Sequence, residues 1–142
     1  MSSQSSSDKP LLVVAVGVLV NPWGHVLIAQ RPVGKHMAGA WEFPGGKVEA
    51  DESVSEALFR ELQEELGIEL TSAQPLMAHR HEYPDRIVDL QVLIVRNVES
   101  ELLQSKGFEG QLLRWVTPER LMESGILEAD RPIAEYLIKL LG

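Results

Sequence analysis

The sequence predicts an α/β protein in which a mixed β-sheet is sandwiched between helices, an α/β/α arrangement. Three observations carry that expectation. The continuous apolar run at residues 11–20 reads as a buried strand. Residues 53–67 form one long amphipathic segment with a marked start and a marked end, which reads as a helix. Beyond it, strand-like runs and helix signals follow in mixed order, the pattern of helices packed on a sheet.

Taken in order, residues 1–9 (MSSQSSSDK) are serine-rich and read as a disordered leader, with a single domain expected over 10–142. The run at 11–20 is rich in valine. Asn21-Pro22-Trp23-Gly24 reads as a turn, and 25–30 as the returning strand. Residues 31–40 read as a loop punctuated by Pro32, Gly34 and Gly39. Trp41 to Phe43 then lead into Pro44-Gly45-Gly46, a tight turn where glycine permits backbone conformations closed to other residues. Ser53 with Glu56 three residues on makes a capping box, and Gly67 suits the position just past the helix end. Val54, Leu58, Leu62 and Leu66 recur every four residues and are expected to face the core. Residues 76–83 and 87–96 read as strands joined at Pro84-Asp85. A glycine-flanked loop at 106–110 precedes a strand at 112–116. Thr117-Pro118 has the N-cap and first-turn signature of a short helix ending near Gly125, and Asp130 is placed to cap a last helix over 132–140.

Composition narrows the function classes. A chain of 142 residues suits one domain that buries about two-thirds of its unfolded surface. A net charge of −8 without a compensating basic stripe argues against a nucleic-acid polymer as partner. It leaves a nucleotide open, because a metal ion can bridge an acidic site to a polyphosphate. No cysteine is present, which excludes disulfides, zinc thiolates and cysteine nucleophiles. The run at 11–20 is too short to span a bilayer, and the residues before it lack the basic start of a signal peptide, so a cytoplasmic protein without membrane attachment is expected.

The chemistry concentrates in the helix. Glu61, Glu64 and Glu65 crowd into little more than one turn. Glu61 and Glu65 share a face, at the margin of the apolar stripe, which places them beside the protein body at the floor of a cleft. Like charges four apart destabilise a helix by roughly 0.2–0.5 kcal/mol per pair. Hard oxygen ligands on one rigid element suit Mg²⁺, or Mn²⁺ in its place, which would reverse that sign. The competing reading is a solvated acidic helix face. Glu52 and Arg60 are spaced to meet across the helix start. Arg60 is assigned to orienting the carboxylates, with Glu56 and Glu64 one turn to either side, and its alternative is an ordinary surface ion pair.

The spacing G-x5-E-x7-R-E-U-x-E-E-x-G-U, with U aliphatic, is that of the Nudix box, and Gly46, Glu52, Arg60, Glu61, Leu62, Glu64, Glu65, Gly67 and Ile68 meet every defined position. The segments VAVGVLV, HMAGAWEFPGGK, EYPDR, FEGQ and ADRPIAEYL extend the likeness over residues 13–140, so the chain resembles the MutT-like members of the Nudix hydrolase family. The resemblance implies the Nudix fold. It also implies hydrolysis of a nucleoside triphosphate to the monophosphate and pyrophosphate, in the service of removing oxidised guanine nucleotides (8-oxo-dGTP) from the precursor pool, by a monomer. By the same resemblance Glu52, Arg60, Glu61, Glu64, Glu65 and Glu109 are the catalytic set. Gly45, through its carbonyl, joins Glu61, Glu64, Glu65 and Glu109 as metal ligands, Glu109 serving as ligand or general base. Arg31, Phe43, Arg86 and Asp130 face the nucleotide. From the residues alone, Phe43 can line a base pocket although most strand phenylalanines are simply core, and Arg86 is equally a plain turn residue.

Asp130 departs from the family pattern, which has asparagine there. An amide offers a donor and an acceptor, whereas an ionised carboxylate only accepts. Asp130 therefore leaves open a second preference, for CTP, dCTP or modified cytidine nucleotides. A third possibility, from another class, is a Nudix-fold binding module without catalysis, against which the intact acidic set weighs.

Overall fold

The computed structural model describes residues 9–99 and 110–142. Strands β1 (Leu11–Leu19), β2 (Val26–Gln30), β3 (Trp41–Glu42) and β4 (Gly45–Lys47) precede helix α1 (Val54–Leu66). Then come β5 (Gln74–Glu82), β6 (Ile87–Val95), β7 (Leu113–Val116) and helix α2 (Arg131–Leu141). Strands β4-β1-β6-β5 form a mixed sheet in that order, with β1 parallel to β6 and the other pairs antiparallel. A second, antiparallel sheet runs β3-β2-β7. The expected sandwich is therefore present, with a second sheet whose shortest member is too brief to leave a periodic signal.

The alternation of β1 shows how one strand serves two cores. Ala15 and Leu19 pack with Ala57, Leu58, Leu62 and Leu66 of α1, and Leu93 of β6 joins them. Val16 and Val18 point the other way, into a cluster with Ile133, Ala134 and Leu137 of α2. Successive strand residues face opposite sides, so an apolar run is what a doubly covered strand requires. Burying each Leu or Val side chain stabilises the fold by about 1.5–3 kcal/mol. Gly17 lets α1 approach closely, since a Cβ there would lie 3.0 Å from Leu58 Cδ1.

The ends of α1 match their signals. Ser53 Oγ accepts from the Glu56 N–H at 3.1 Å, and the Glu56 carboxylate accepts from the Ser53 N–H at 2.8 Å. Gly67 closes the helix in the left-handed region (φ 71°), its N–H donating to the Gln63 carbonyl. The Asn21 side chain builds the β1–β2 turn by accepting from the Trp23 and His25 N–H groups.

Several expectations need correction. Gly45-Gly46 is not a free turn: these residues start β4, opposite Val16 and Ala15. Gly45 is at φ 150°, and a Cβ there would lie 2.0 Å from the Ala15 carbonyl oxygen, so only glycine fits. Residues Pro118–Glu123 are a 3-10 helix, and Thr117 makes no side-chain cap. Asp130 precedes α2 but does not cap it. Lys9, assigned above to the leader, pairs with Glu82 and donates to the Tyr83 carbonyl at 3.2 Å. Residues 1–8 lie outside the described residues. Among the described residues no helix is long and apolar enough to cross a membrane.

Ser53→Ala removes half of the capping box. It should cost about 1 kcal/mol and lower Tm by about 2–4 °C, read by calorimetry. An unchanged Tm would show that the box does not stabilise α1.

Candidate active site

The site grows from the segment that links β4 to α1. Arg60, on the second turn of α1, folds back over this segment. Its Nε and Nη2 grip both oxygens of Glu52 at 2.6 and 3.0 Å. Nη1 donates to Glu61 Oε2 at 3.1 Å and reaches Glu64 Oε1 at 3.5 Å, while Nη2 also donates to the Lys47 carbonyl at 3.1 Å. Glu52 and Arg60 thus meet as their spacing predicts. Glu56, expected on the other side of Arg60, is occupied by the capping box instead. The hydrogen bonds from Arg60, with one from the Glu49 N–H, hold the Glu52 carboxyl below its usual range, and the same contacts push the Arg60 pKa up.

Glu61 is fixed from a second direction. A Cβ on Gly46 would lie 2.2 Å from Glu61 Cδ, so the carboxylate rests directly against the Gly46 backbone. This contact accounts for glycine at that position. The arrangement leaves the three glutamates unequal. Glu61 has a side chain only 18% exposed, against 57% for Glu64. Glu61 and Glu65 line a cavity of about 610 Å³ together with Gly45, Gly46, Arg31, Lys35, Glu42 and Gln111, whereas Glu64 is not among its lining residues.

A smaller cavity of about 100 Å³ adjoins it, sharing Val14, Glu42 and Gly45. Phe43, Tyr83, Val88, Leu90 and Asp130 are among its other wall residues. Asp130 is 6% exposed, and its Oδ2 accepts from the Phe43 N–H at 3.3 Å. Burial pushes its pKa up to about 7 despite that hydrogen bond, and the charge of Glu42 adds to the rise. Burial likewise raises Glu42, against the opposing charge of Arg31, and raises the Tyr83 phenol.

The residues expected to face the nucleotide separate into three groups. Arg31 lines the larger cavity and Asp130 the smaller one. Phe43 lines the smaller cavity as well, and it belongs to the core cluster beside α2. Arg86 lines neither: its guanidinium lies 4.7 Å from the centre of the Tyr83 ring and pairs with Asp85 at 3.3 Å. Glu109 lies outside the described residues. Glu42, Tyr83 and Gln111 are wall residues that sequence reasoning passed over. Tyr83 stands in the EYPDR segment and Glu42 in WEFPGG, so both lay within view of the motif.

Among the described residues, no three His, Cys, Asp or Glu side chains converge as a ready-made metal cluster. The donor set nevertheless suits a hard divalent cation. Two carboxylates on one rigid helix, one of them pinned by Arg60 and Gly46, share a cavity wall with the Gly45 backbone.

A family model described as the NUDIX domain matches residues 15–136. The 8-oxo-dGTP diphosphatase of Proteus vulgaris is 46% identical over 100 residues, covering 70% of this chain and 89% of that protein. The CTP pyrophosphohydrolase of Escherichia coli (strain K12) is 39% identical over 129 residues, covering 91% and 93%. The solution structure of the E. coli ORF135 protein superposes with a TM-score of 0.80 at 38% identity, covering 94% of this chain and 93% of that one.

Gly46→Ala tests the Glu61 contact. The clash falls on the end of a flexible side chain, so the variant should fold with a Tm near that of the parent while Glu61 is displaced. Titration with Mn²⁺, followed by water proton relaxation, should show affinity reduced by about tenfold or more. Parental Mn²⁺ affinity would show that Glu61 does not need its present place.

Proposed function

The chain belongs to the Nudix family and resembles its MutT-like members, and from that premise we propose that it is a Mg²⁺-dependent nucleoside triphosphate pyrophosphohydrolase acting on 8-oxo-dGTP. Nudix hydrolases use a divalent metal, with Mg²⁺ the ion proposed here and Mn²⁺ its substitute. The observation that carries the reading is the Arg60-clamped Glu61, set at the edge of a cavity of nucleotide size that opens onto the Asp130 pocket.

Water adds to the β-phosphorus, and the bond from that phosphorus to the α,β-bridging oxygen breaks. The nucleoside monophosphate leaves with the bridging oxygen, and pyrophosphate carries the oxygen from water. Reactions of this class depend on positioning and charge neutralisation more than on a covalent nucleophile. Glu61 and Glu65 with the Gly45 carbonyl would hold the metal, and Glu64 and Glu109 would complete the set. When bound, the ion supplies neutralisation of phosphate charge and a more acidic water. Arg60 works one step back: it fixes Glu52 and Glu61 and screens the carboxylates from one another. Glu109 is assigned as metal ligand or general base on the family resemblance.

Base choice falls to the smaller cavity, with Arg31 and Arg86 assigned supporting contacts. The edge of oxidised guanine presents an acceptor at O6 and a donor at N7. A protonated Asp130 offers the complementary donor and acceptor, and the burial that raises its pKa favours that form. The ionised form accepts only, which suits an exocyclic amine. That form supports a second reading, cytidine nucleotides, in line with the long match to a protein named CTP pyrophosphohydrolase. The enzyme is proposed to act as a cytoplasmic monomer on free nucleotides, cleaning the pool that supplies DNA replication and so limiting the load on DNA repair.

Pyrophosphate release with Mg²⁺, compared across 8-oxo-dGTP, dGTP, dCTP and 5-methyl-dCTP, tests the reading. A preference of about a hundredfold for 8-oxo-dGTP in kcat/KM, about 2.7 kcal/mol, is expected. A cytidine preference would move the substrate to the second reading, and no turnover of any nucleotide would favour a binding module. The pH dependence has a definite sign. Asp130 is neutral below its raised pKa of about 7 and charged above it. The preference for 8-oxo-dGTP over dCTP should therefore fall as pH rises from 6 to 8. Asp130→Asn should hold it constant over that range. A flat profile in the parent protein would remove Asp130 protonation from base choice.

A further inference from the structure

The walls of the larger cavity carry four carboxylates, Glu42, Glu49, Glu61 and Glu65, yet a nucleoside triphosphate brings several negative charges of its own. Three cationic side chains line it: Arg31, Lys35 and Lys47. Arg31 is already engaged, since its Nη1 pairs with Glu42 at 2.8 Å and its Nε donates to the His36 carbonyl. Lys47 stands on β4 beside the carboxylates, and its carbonyl receives Arg60. Lys35 differs from Arg31 in being unengaged, and from Lys47, which is likewise without an ion pair among the described residues, in standing on the loop between β2 and β3. Among the described residues its ammonium has no ion pair, although its charge is felt at Glu42 across the cavity wall.

Its position is built rather than incidental. The Lys35 N–H donates to the Pro32 carbonyl at 3.3 Å, and Gly34 before it sits at φ 94°. That is a turn whose third residue must be able to take a left-handed conformation. The base of the loop is tied by Arg31 N–H to the Ala40 carbonyl at 2.8 Å and Gly39 N–H to the Arg31 carbonyl at 3.0 Å. The Gln30 side chain adds a third tie, to the Gly39 carbonyl. Val33 and Met37, at the outer part of the loop, are exposed, while Lys35 lines the cavity. An exposed cation without an internal partner adds little to stability. On the wall of this cavity it is placed to meet a ligand of negative charge.

We propose that Lys35 is a substrate-binding residue whose ammonium takes a phosphate oxygen of the bound nucleotide, leaving Arg31 held by Glu42. The inference rests on the pyrophosphohydrolase reading and adds to it a residue outside the motif. Both KM for pyrophosphate release and the Kd of a non-hydrolysable α,β-methylene deoxynucleoside triphosphate should be measured for the full chain and for Lys35→Ala, Lys35→Arg and Lys35→Glu. Lys35→Ala should raise KM and Kd roughly fivefold with kcat within about twofold. Lys35→Arg should restore both, and Lys35→Glu should weaken binding further. The ionic-strength dependence of KM should also flatten in Lys35→Ala. Unchanged KM and Kd in Lys35→Ala, or a lower kcat at constant KM, would overturn the proposal. If the parent releases no pyrophosphate, the pyrophosphohydrolase reading fails on its own. The analogue titration then still decides for Lys35: weaker binding by Lys35→Ala supports it, and equal or absent binding by both proteins overturns it.

Discussion

The arrangement of this site depends on the hold of one guanidinium. Glu61, Glu64 and Glu65 sit within little more than a turn of α1, and Glu49 and Glu52 approach from the preceding segment. Without a counter-charge these carboxylates would repel one another and drive the helix start away from β4. Arg60 prevents that by giving two donors to Glu52, one to Glu61 and one to the Lys47 carbonyl. Arg suits this role better than Lys because its donors form a fixed planar fork. Its hold is mainly geometric, since the group is part-exposed and solvent screens the charges.

The rest of the molecule keeps that clamp in place. β1 supplies Ala15 and Leu19 to the α1 core, so α1 lies flat on the sheet. The same strand pairs with β4, which brings Gly46 against Glu61. Backbone pairing and side-chain packing thus converge on one carboxylate. The opposite face of the sheet, packed on α2, carries the Asp130 pocket. Glu42 lies where the two cavities meet and is paired with Arg31.

What was legible in the sequence was local. Ser53, Glu56 and Gly67 mark α1 because capping chemistry acts over three or four residues, and the strands of the mixed sheet declare themselves by apolar runs. The Glu52–Arg60 contact was legible from spacing, as was the Glu56 cap, and because that cap has first claim on its carboxylate Glu56 does not also serve Arg60. The division into two sheets was hidden because β3 has only two residues and is defined by its partner. The fate of Asp130 was hidden for a related reason. Its sequence position suggests a cap, but its hydrogen bond goes to Phe43, 87 residues away. Arg86 matches the motif, but its stacking on Tyr83, off the lining of both cavities, could not be read from the sequence.

The two faces of the sheet give this enzyme two separately adjustable parts. The carboxylates proposed to serve the chemistry belong to α1, which packs on one core, whereas Asp130 and Tyr83, proposed to meet the base, wall the smaller cavity on the other side. A substitution near α2 can redraw the shape and charge of the smaller cavity without disturbing the packing under Glu61. On the proposed roles, base preference can therefore change while the reaction is kept, provided the change spares Val14, Glu42 and Gly45, which the two cavities share.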